Sequence, residues 1–152
     1  MNRRAALTAA AVLLSVTPRP TAAAAEAGSS DPTVLAMLDE FAAAWNRHDV
    51  DGLMACMAAD CVFEAAAGKE VAGTRHVGTA AVRAAYAAVF ATYADARWNK
   101  PRHFVAGDRA VSEWTFTGTT KDGAKVEVNG CDIFTLKGGK IAVKNSYRKQ
   151  RS

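Results

Sequence analysis

The stretch AKVEVNGCDIFTL, residues 124–136, decides the fold. Val126, Val128, Asp132, Phe134 and Leu136 fall on alternate positions, the period of a β-strand with one apolar face. Turn chemistry brackets the segment, with Lys121-Asp122-Gly123 before it and Lys137-Gly138-Gly139 after it. The strand is therefore the middle of an antiparallel meander. Residues 109–119 precede it, with Trp114 and Phe116 on one side, and residues 140–149 return as the last strand. Residues 97–105 extend the pattern upstream, and Pro101 inside them predicts an edge position or a bulge.

Ahead of the meander the period changes to that of helices. Asp31 can cap a helix whose first position is Pro32. Val34, Leu35, Leu38, Phe41, Ala42 and Trp45 then share one face, and Asn46, Arg47 and His48 close it. Asp49 can cap a second, short helix with Val50, Leu53, Met54 and Met57 on its apolar face. Residues 61–65 read as a short strand and residues 66–78 as irregular chain. A third helix starts near Thr79 with Val82, Tyr86, Val89, Phe90 and Tyr93 together. Helices segregated from an antiparallel sheet make an α+β domain.

The chain has 152 residues, half of them hydrophobic and 22% charged, with a mean hydropathy of −0.05. That balance excludes a disordered chain and a polytopic membrane protein, and the length allows one domain. The N-terminus, MNRRAALTAAAVLLSV, sets Arg3 and Arg4 before an apolar run too short to span a bilayer. TAAAAEA (21–27) follows with Ala-x-Ala cleavage points. Residues 1–27 thus read as a signal peptide and residues 28–152 as the mature domain, exported and periplasmic. The adjacent arginines are compatible with the twin-arginine route. Removing Arg3, Arg4, Arg19 and Glu26 lowers the net charge from +4 to +2. A domain so weakly basic, with no recognition motif, is not expected to bind nucleic acid. Cys56, Cys61 and Cys131 are odd in number and lack metal-ligand spacing, so they read as buried structural thiols.

Three motifs carry a family resemblance. They are FAAAWNRHDVDGL (41–53) running on to MAADCVFE (57–64), AGDRAVSEWTFTGT (106–119), and VNGCDIF (128–134) followed by GKI (139–141). In this order and spacing, over Val34 to Arg148, the chain resembles the NTF2-like superfamily in its SnoaL-like and ketosteroid-isomerase-like branch. The resemblance implies three N-terminal helices packed on a curved antiparallel sheet, a cone with an apolar pocket, a homodimer through the sheet, and no cofactor. A looser resemblance, to SnoaL-like proteins labelled as a taurine dehydrogenase small subunit, would imply a partner enzyme subunit.

Within that resemblance Asp132 matches the acidic residue of the third long strand, which holds a developing oxyanion in the isomerases and serves as acid/base in polyketide cyclases. Its own surroundings also mark it. A carboxylate on an apolar strand face must be paired or carry a raised pKa. It is therefore either a functional acid or one half of a salt bridge with a base on a neighbouring strand. The isomerase tyrosine falls at Phe41 and the isomerase aspartate base at Ala65, with Glu64 on the opposite strand face. Steroid isomerisation by that route is not expected.

On the last strand two patterns compete. The resemblance points Lys144, Ser146 and Arg148 inward, whereas hydrophobicity alone buries Ile141, Val143 and Tyr147. In the first case Lys144 or Arg148 pairs with Asp132 or binds an anionic group of a ligand. In the second, Lys144, Arg148, Lys149 and Arg151 form a solvated basic tail. His103 can titrate near neutral pH and is a candidate acid/base or a satisfied, partly exposed histidine. His48 suits a helix C-terminus, and His76 lies in irregular chain. No spacing of the three histidines suits a metal. Catalytic candidates are Asp132, Lys144 and His103. Phe41, Trp45, Trp114, Phe134, Ser146 and Arg148 are candidate substrate contacts.

The sequence supports a pocket protein for a carbonyl-bearing, apolar or anionic small molecule, acting as an isomerase or cyclase by proton transfer. The alternative is a noncatalytic ligand-binding or accessory subunit of a larger enzyme such as a dehydrogenase.

Overall fold

The computed structural model describes residues 31–151, so the leader expected over residues 1–27 lies outside the described residues. Asp31 caps helix α1 (Pro32–Arg47) by accepting the Thr33 amide at 2.9 Å. His48 ends it in the left-handed region, φ 57°, and its ring reaches the Ala96 carbonyl at 2.8 Å. Helix α2 (Val50–Cys56) starts at Asp49, whose carboxylate accepts the Gly52 amide at 2.8 Å. Strand β1 (Met57–Glu64) follows directly. A short strand β2 (Arg75–Val77) and helix α3 (Thr79–Thr92) come next. The chain ends with β3 (Arg97–Ala106), β4 (Arg109–Thr119), β5 (Lys125–Lys137) and β6 (Lys140–Arg148).

The six strands form one sheet in the order β2-β1-β6-β5-β4-β3. All neighbours are antiparallel except β1 and β6. The result is the expected α+β cone of three helices packed on a curved sheet. Two local expectations need correction. The region 66–78 is not wholly irregular, because its end forms β2 against β1. Met57 leaves the helix and opens β1, still buried at the base of the core. Three residues are too few for alternation to be visible in β2, and the burial of Met57 fits both the helix and the strand.

Pro101 sits on β3, the sheet edge, at a register shift between Asn99 and Arg102 where Lys100 takes φ 52°. A residue without an amide hydrogen is tolerated there because the ladder is already broken. Gly138 and Gly139, at φ 57° and 73°, close the β5–β6 hairpin, and two consecutive left-handed residues are what a tight primed turn needs.

The core lies between α1, α3 and the concave face of the sheet. Leu38, Phe41 and Trp45 of α1 and Val82 and Tyr86 of α3 meet Trp98, Phe116 and Phe134. Phe41 touches Tyr86, Trp98 and Phe134 with ring centroids 5.9–6.2 Å apart. Each such fully buried ring stabilises the fold by about 2 kcal/mol through burial. Among the described residues no helix is long and apolar enough to cross a membrane.

Candidate functional site

Strand β6 resolves the competition between its two inward patterns by a bulge. Thr135 pairs with Val143 but Leu136 pairs with Ile141, so Ala142 is an extra residue without a partner on β5. One inserted residue flips the alternation. Ile141 before it and Lys144 and Ser146 after it are therefore all buried, while Tyr147 is exposed. The inward set expected from the resemblance, Lys144, Ser146 and Arg148, is the one found, whereas of the hydrophobic set only Ile141 is buried and Val143 and Tyr147 face away from the core.

The bulge brings Lys144 and Ser146 against Asp132 on β5. Asp132 has no exposed surface, and Lys144 and Ser146 are buried with it. Asp132 Oδ1 accepts from Lys144 Nζ at 2.7 Å and from Ser146 Oγ at 2.5 Å, and Lys144 also donates to Ser146 Oγ at 2.6 Å. Asp132 Oδ2 accepts from Trp114 Nε1 at 2.9 Å. Every carboxylate oxygen is thus satisfied, which is the condition for keeping a charge in a dry interior. Burial pulls the Lys144 ammonium below the ordinary lysine value, and the Asp132 carboxylate opposes that pull. Three rings surround the ammonium as well, Phe63 at 4.5 Å, Trp98 at 5.4 Å and Trp45 at 6.0 Å.

The bond from Trp114 depends on Gly130. A Cβ at position 130 would come within 2.5 Å of two Trp114 ring atoms. The absence of a side chain is what lets the indole lie across β5 and reach the carboxylate. The three tryptophans stack in series, Trp45 on Trp98 at 4.4 Å and Trp98 on Trp114 at 5.3 Å.

These groups wall a cavity of about 520 Å³. Trp45, Trp114, Lys144, Ser146 and Arg148 line it, together with Phe63, His76 and Trp98, which sequence reasoning did not single out as contacts. Asp132 does not line it but stands behind Lys144 and Ser146. Phe41 and Phe134, expected as contacts, are core residues outside the wall. Ala65 faces the cavity where the isomerase base would stand, and Glu64 points elsewhere, to Arg75 at 3.2 Å. His76 sits on β2 and stacks on Phe63 at 5.7 Å. Neither strand alternates, since Cys61, Val62 and Phe63 are all buried and β3 is broken between Asn99 and Arg102, so no local period singled out Phe63 and Trp98.

His103 belongs to a separate cluster. Its Nδ1 lies 2.6 Å from Ser112 Oγ and its Nε2 lies 3.4 Å from Asp39 on α1. Burial pushes its pKa below the ordinary histidine value, and Asp39 opposes this. Ser112 is buried opposite Asp132 in the β4–β5 register, but His103 makes no contact with the Lys144 ammonium. A larger depression of about 830 Å³ crosses the outer face of the sheet, walled in part by Arg102, Glu113, Cys131 and Tyr147. It holds none of Asp132, Lys144 or Ser146, so the chemistry belongs to the smaller cavity.

A family model described as a SnoaL-like domain matches residues 38–144. No curated protein matches the chain. Among solved structures, an NTF2-like protein of unknown function from Mesorhizobium loti is 28% identical over 78% of this chain and 92% of its own, with a TM-score of 0.64. A protein provisionally assigned as a polyketide cyclase from Pseudomonas putida is 22% identical over 78% and 93%, with a TM-score of 0.69. A protein from Catenulispora acidiphila with a ketosteroid isomerase-like fold, in complex with trimethylamine, is 20% identical over 73% and 83%, with a TM-score of 0.65.

Proposed function

This chain belongs to the SnoaL-like domain family, and from that premise we propose that it is a small-molecule enzyme of the isomerase or cyclase type. In this reading it moves a proton on a carbonyl-bearing ligand held in the cone. The observation that carries it is the buried Asp132–Lys144–Ser146 cluster at the wall of a mostly apolar cavity. Lys144 Nζ is the atom that meets the ligand. Burial favours the amine form of Lys144, which takes the α-proton while the C–H electron pair passes to the carbonyl oxygen as an enolate. The ammonium so formed, held in place by Asp132, stabilises the enolate and returns the proton to carbon. Ser146 bridges the two. The indole stack of Trp45, Trp98 and Trp114 excludes water and holds the ligand's apolar body.

The test is exchange of the α-hydrogens of 2-tetralone in heavy water, followed by proton NMR. The wild type should accelerate exchange, Asp132→Asn should abolish the acceleration while remaining folded, and Lys144→Met should do the same. Exchange undiminished in a folded Asp132→Asn variant removes the reading.

A second reading is favoured by the complete satisfaction of Asp132, which needs no ligand to be at rest. There the cluster is a structural pair and the chain is a noncatalytic binding protein or an accessory subunit of a larger enzyme. No acceleration of exchange by the wild type, with tight binding of apolar carbonyl compounds, selects it. We also propose that the chain is exported and dimerises through the outer sheet face, where Phe104 and Tyr147 are exposed. Sedimentation of wild type and Phe104→Lys tests the dimer.

A further inference from the structure

The cavity wall carries three cations, Lys144, Arg148 and Lys149, and no carboxylate. Asp132 behind the wall is already paired with Lys144, so two positive charges next to the cavity are unmatched, the exposed Lys149 and the half-buried Arg148. The one withdrawn from solvent is Arg148. Among the described residues it makes no ion pair within 4 Å. Its Nε is buried without a hydrogen-bond partner. Phe116 at 4.2 Å and Trp114 at 5.9 Å stabilise the guanidinium from the side without offering an acceptor.

Two more donors are orphaned on the same wall. The indole N–H groups of Trp45 and Trp98 are buried and unpartnered. Buried polar groups are normally satisfied, and an exception calls for a partner that is not part of the chain. Of these donors Arg148 is a permanent cation that lines the cavity, and it is the one a ligand there can answer. The partner it lacks is an anion. A guanidinium fork matches a carboxylate in particular, because two parallel N–H groups meet two oxygens. Much of the remaining wall, Trp45, Trp98, Trp114, Val89, Val126 and Val128, is apolar, with Thr74, His76, Thr92 and Gln150 among its polar members. A volume of about 520 Å³ suits a body of one or two fused rings.

We propose that the cavity takes an apolar, ring-bearing carboxylate, with the carboxylate on Arg148 and the rings against the tryptophan stack. Arg148 is then the residue that selects for charge. This deepens the reading of the cavity as a ligand site and rests on it, but it does not depend on proton transfer. Lys144, four residues earlier on the same strand face, is left to meet a second oxygen of the ligand.

The test compares 2-naphthoate with 2-naphthamide, which share shape and differ in charge, by titration calorimetry on the wild-type chain. The naphthoate should bind about tenfold tighter or better, and in Arg148→Met the two should bind within about twofold. Arg148→Lys should keep part of the preference. Arg148→Gln, which keeps hydrogen-bond donors without charge, replaces the methionine variant if that one fails to fold. Tetralone exchange is measured on the same wild-type chain: no exchange together with a naphthoate preference that Arg148→Met removes fails the proton-transfer reading alone, so the two failures are separable. Equal binding of the two probes, binding of neither, or an unchanged preference in folded Arg148→Met overturns it.

Discussion

Lys144 stands between Asp132 and the cavity, its ammonium 2.7 Å from a carboxylate that has no surface of its own. The pair is not symmetrical. Lys144 touches both the ligand space and the acid, whereas Asp132 acts only through its three donors. Removing either charge therefore has different consequences, and stability measurements can separate them from effects on chemistry.

Asp132→Asn leaves a buried ammonium without its counter-charge. Breaking a buried pair on one side costs about 3–5 kcal/mol. The Lys144→Met, Asp132→Asn double variant should lose clearly less than the two single losses combined, because neither charge is then stranded. Urea denaturation of the four species gives the coupling. Additive losses would show that the pair contributes no mutual stabilisation.

Gly130→Ala should destabilise the fold by about 1–3 kcal/mol, since the new methyl group meets the Trp114 ring. It should also unseat the indole from Asp132. All three tryptophans of the chain line the cavity, so the intrinsic fluorescence should shift to longer wavelength as the wall opens. An unshifted spectrum with wild-type stability would contradict the close packing.

His103 titrates below the ordinary histidine value because it is buried, with Asp39 on α1 pulling the other way. In the window between the depressed folded value and the unfolded value of about 6.5, the unfolded chain binds more protons. Stability should therefore be lost as pH falls below about 6.5, and His103→Gln should flatten that slope. Melting temperatures measured from pH 5 to 8 at constant ionic strength test the sign.

The thiols of Cys56, Cys61 and Cys131 are all pushed up, in each case first by burial. Cys131 is the least enclosed of the three. At pH 7 an aromatic disulfide reagent should react slowly with the native chain and at Cys131 first, with all three thiols reacting only after unfolding. Rapid modification of Cys56 or Cys61 in the native state would contradict this burial.

Much of the architecture was readable because its signals are local. The caps at Asp31 and Asp49, the double glycine of the β5–β6 turn and the alternation of residues 124–136 each specify their element from within a few residues. Asp132 was conspicuous for the same reason, as a lone acid on an apolar strand face. What escaped was set by pairing across the sheet. Nothing in residues 140–148 announces that Ala142 is surplus, since that is a relation between β5 and β6. Nor does Gly130 announce that its empty side accommodates Trp114. The exclusion of Phe41 and Phe134 from the wall follows from how α1 seats on the sheet, which no single segment encodes.

The surplus alanine has an implication for how such chains diversify. Deletion of Ala142 would straighten the strand and keep the same side chains inward, because Ile141, Val143 and Lys144 would still meet Leu136, Thr135 and Phe134. Closing the bulge with Ala142 retained, so that it pairs with Thr135, would slip everything after it by one and send Val143, Asn145 and Tyr147 inward and Lys144, Ser146 and Arg148 out to solvent. The protein's electrical character on the inside thus rests on a register, and two chains with the same letters but different pairing there would accept opposite kinds of molecule.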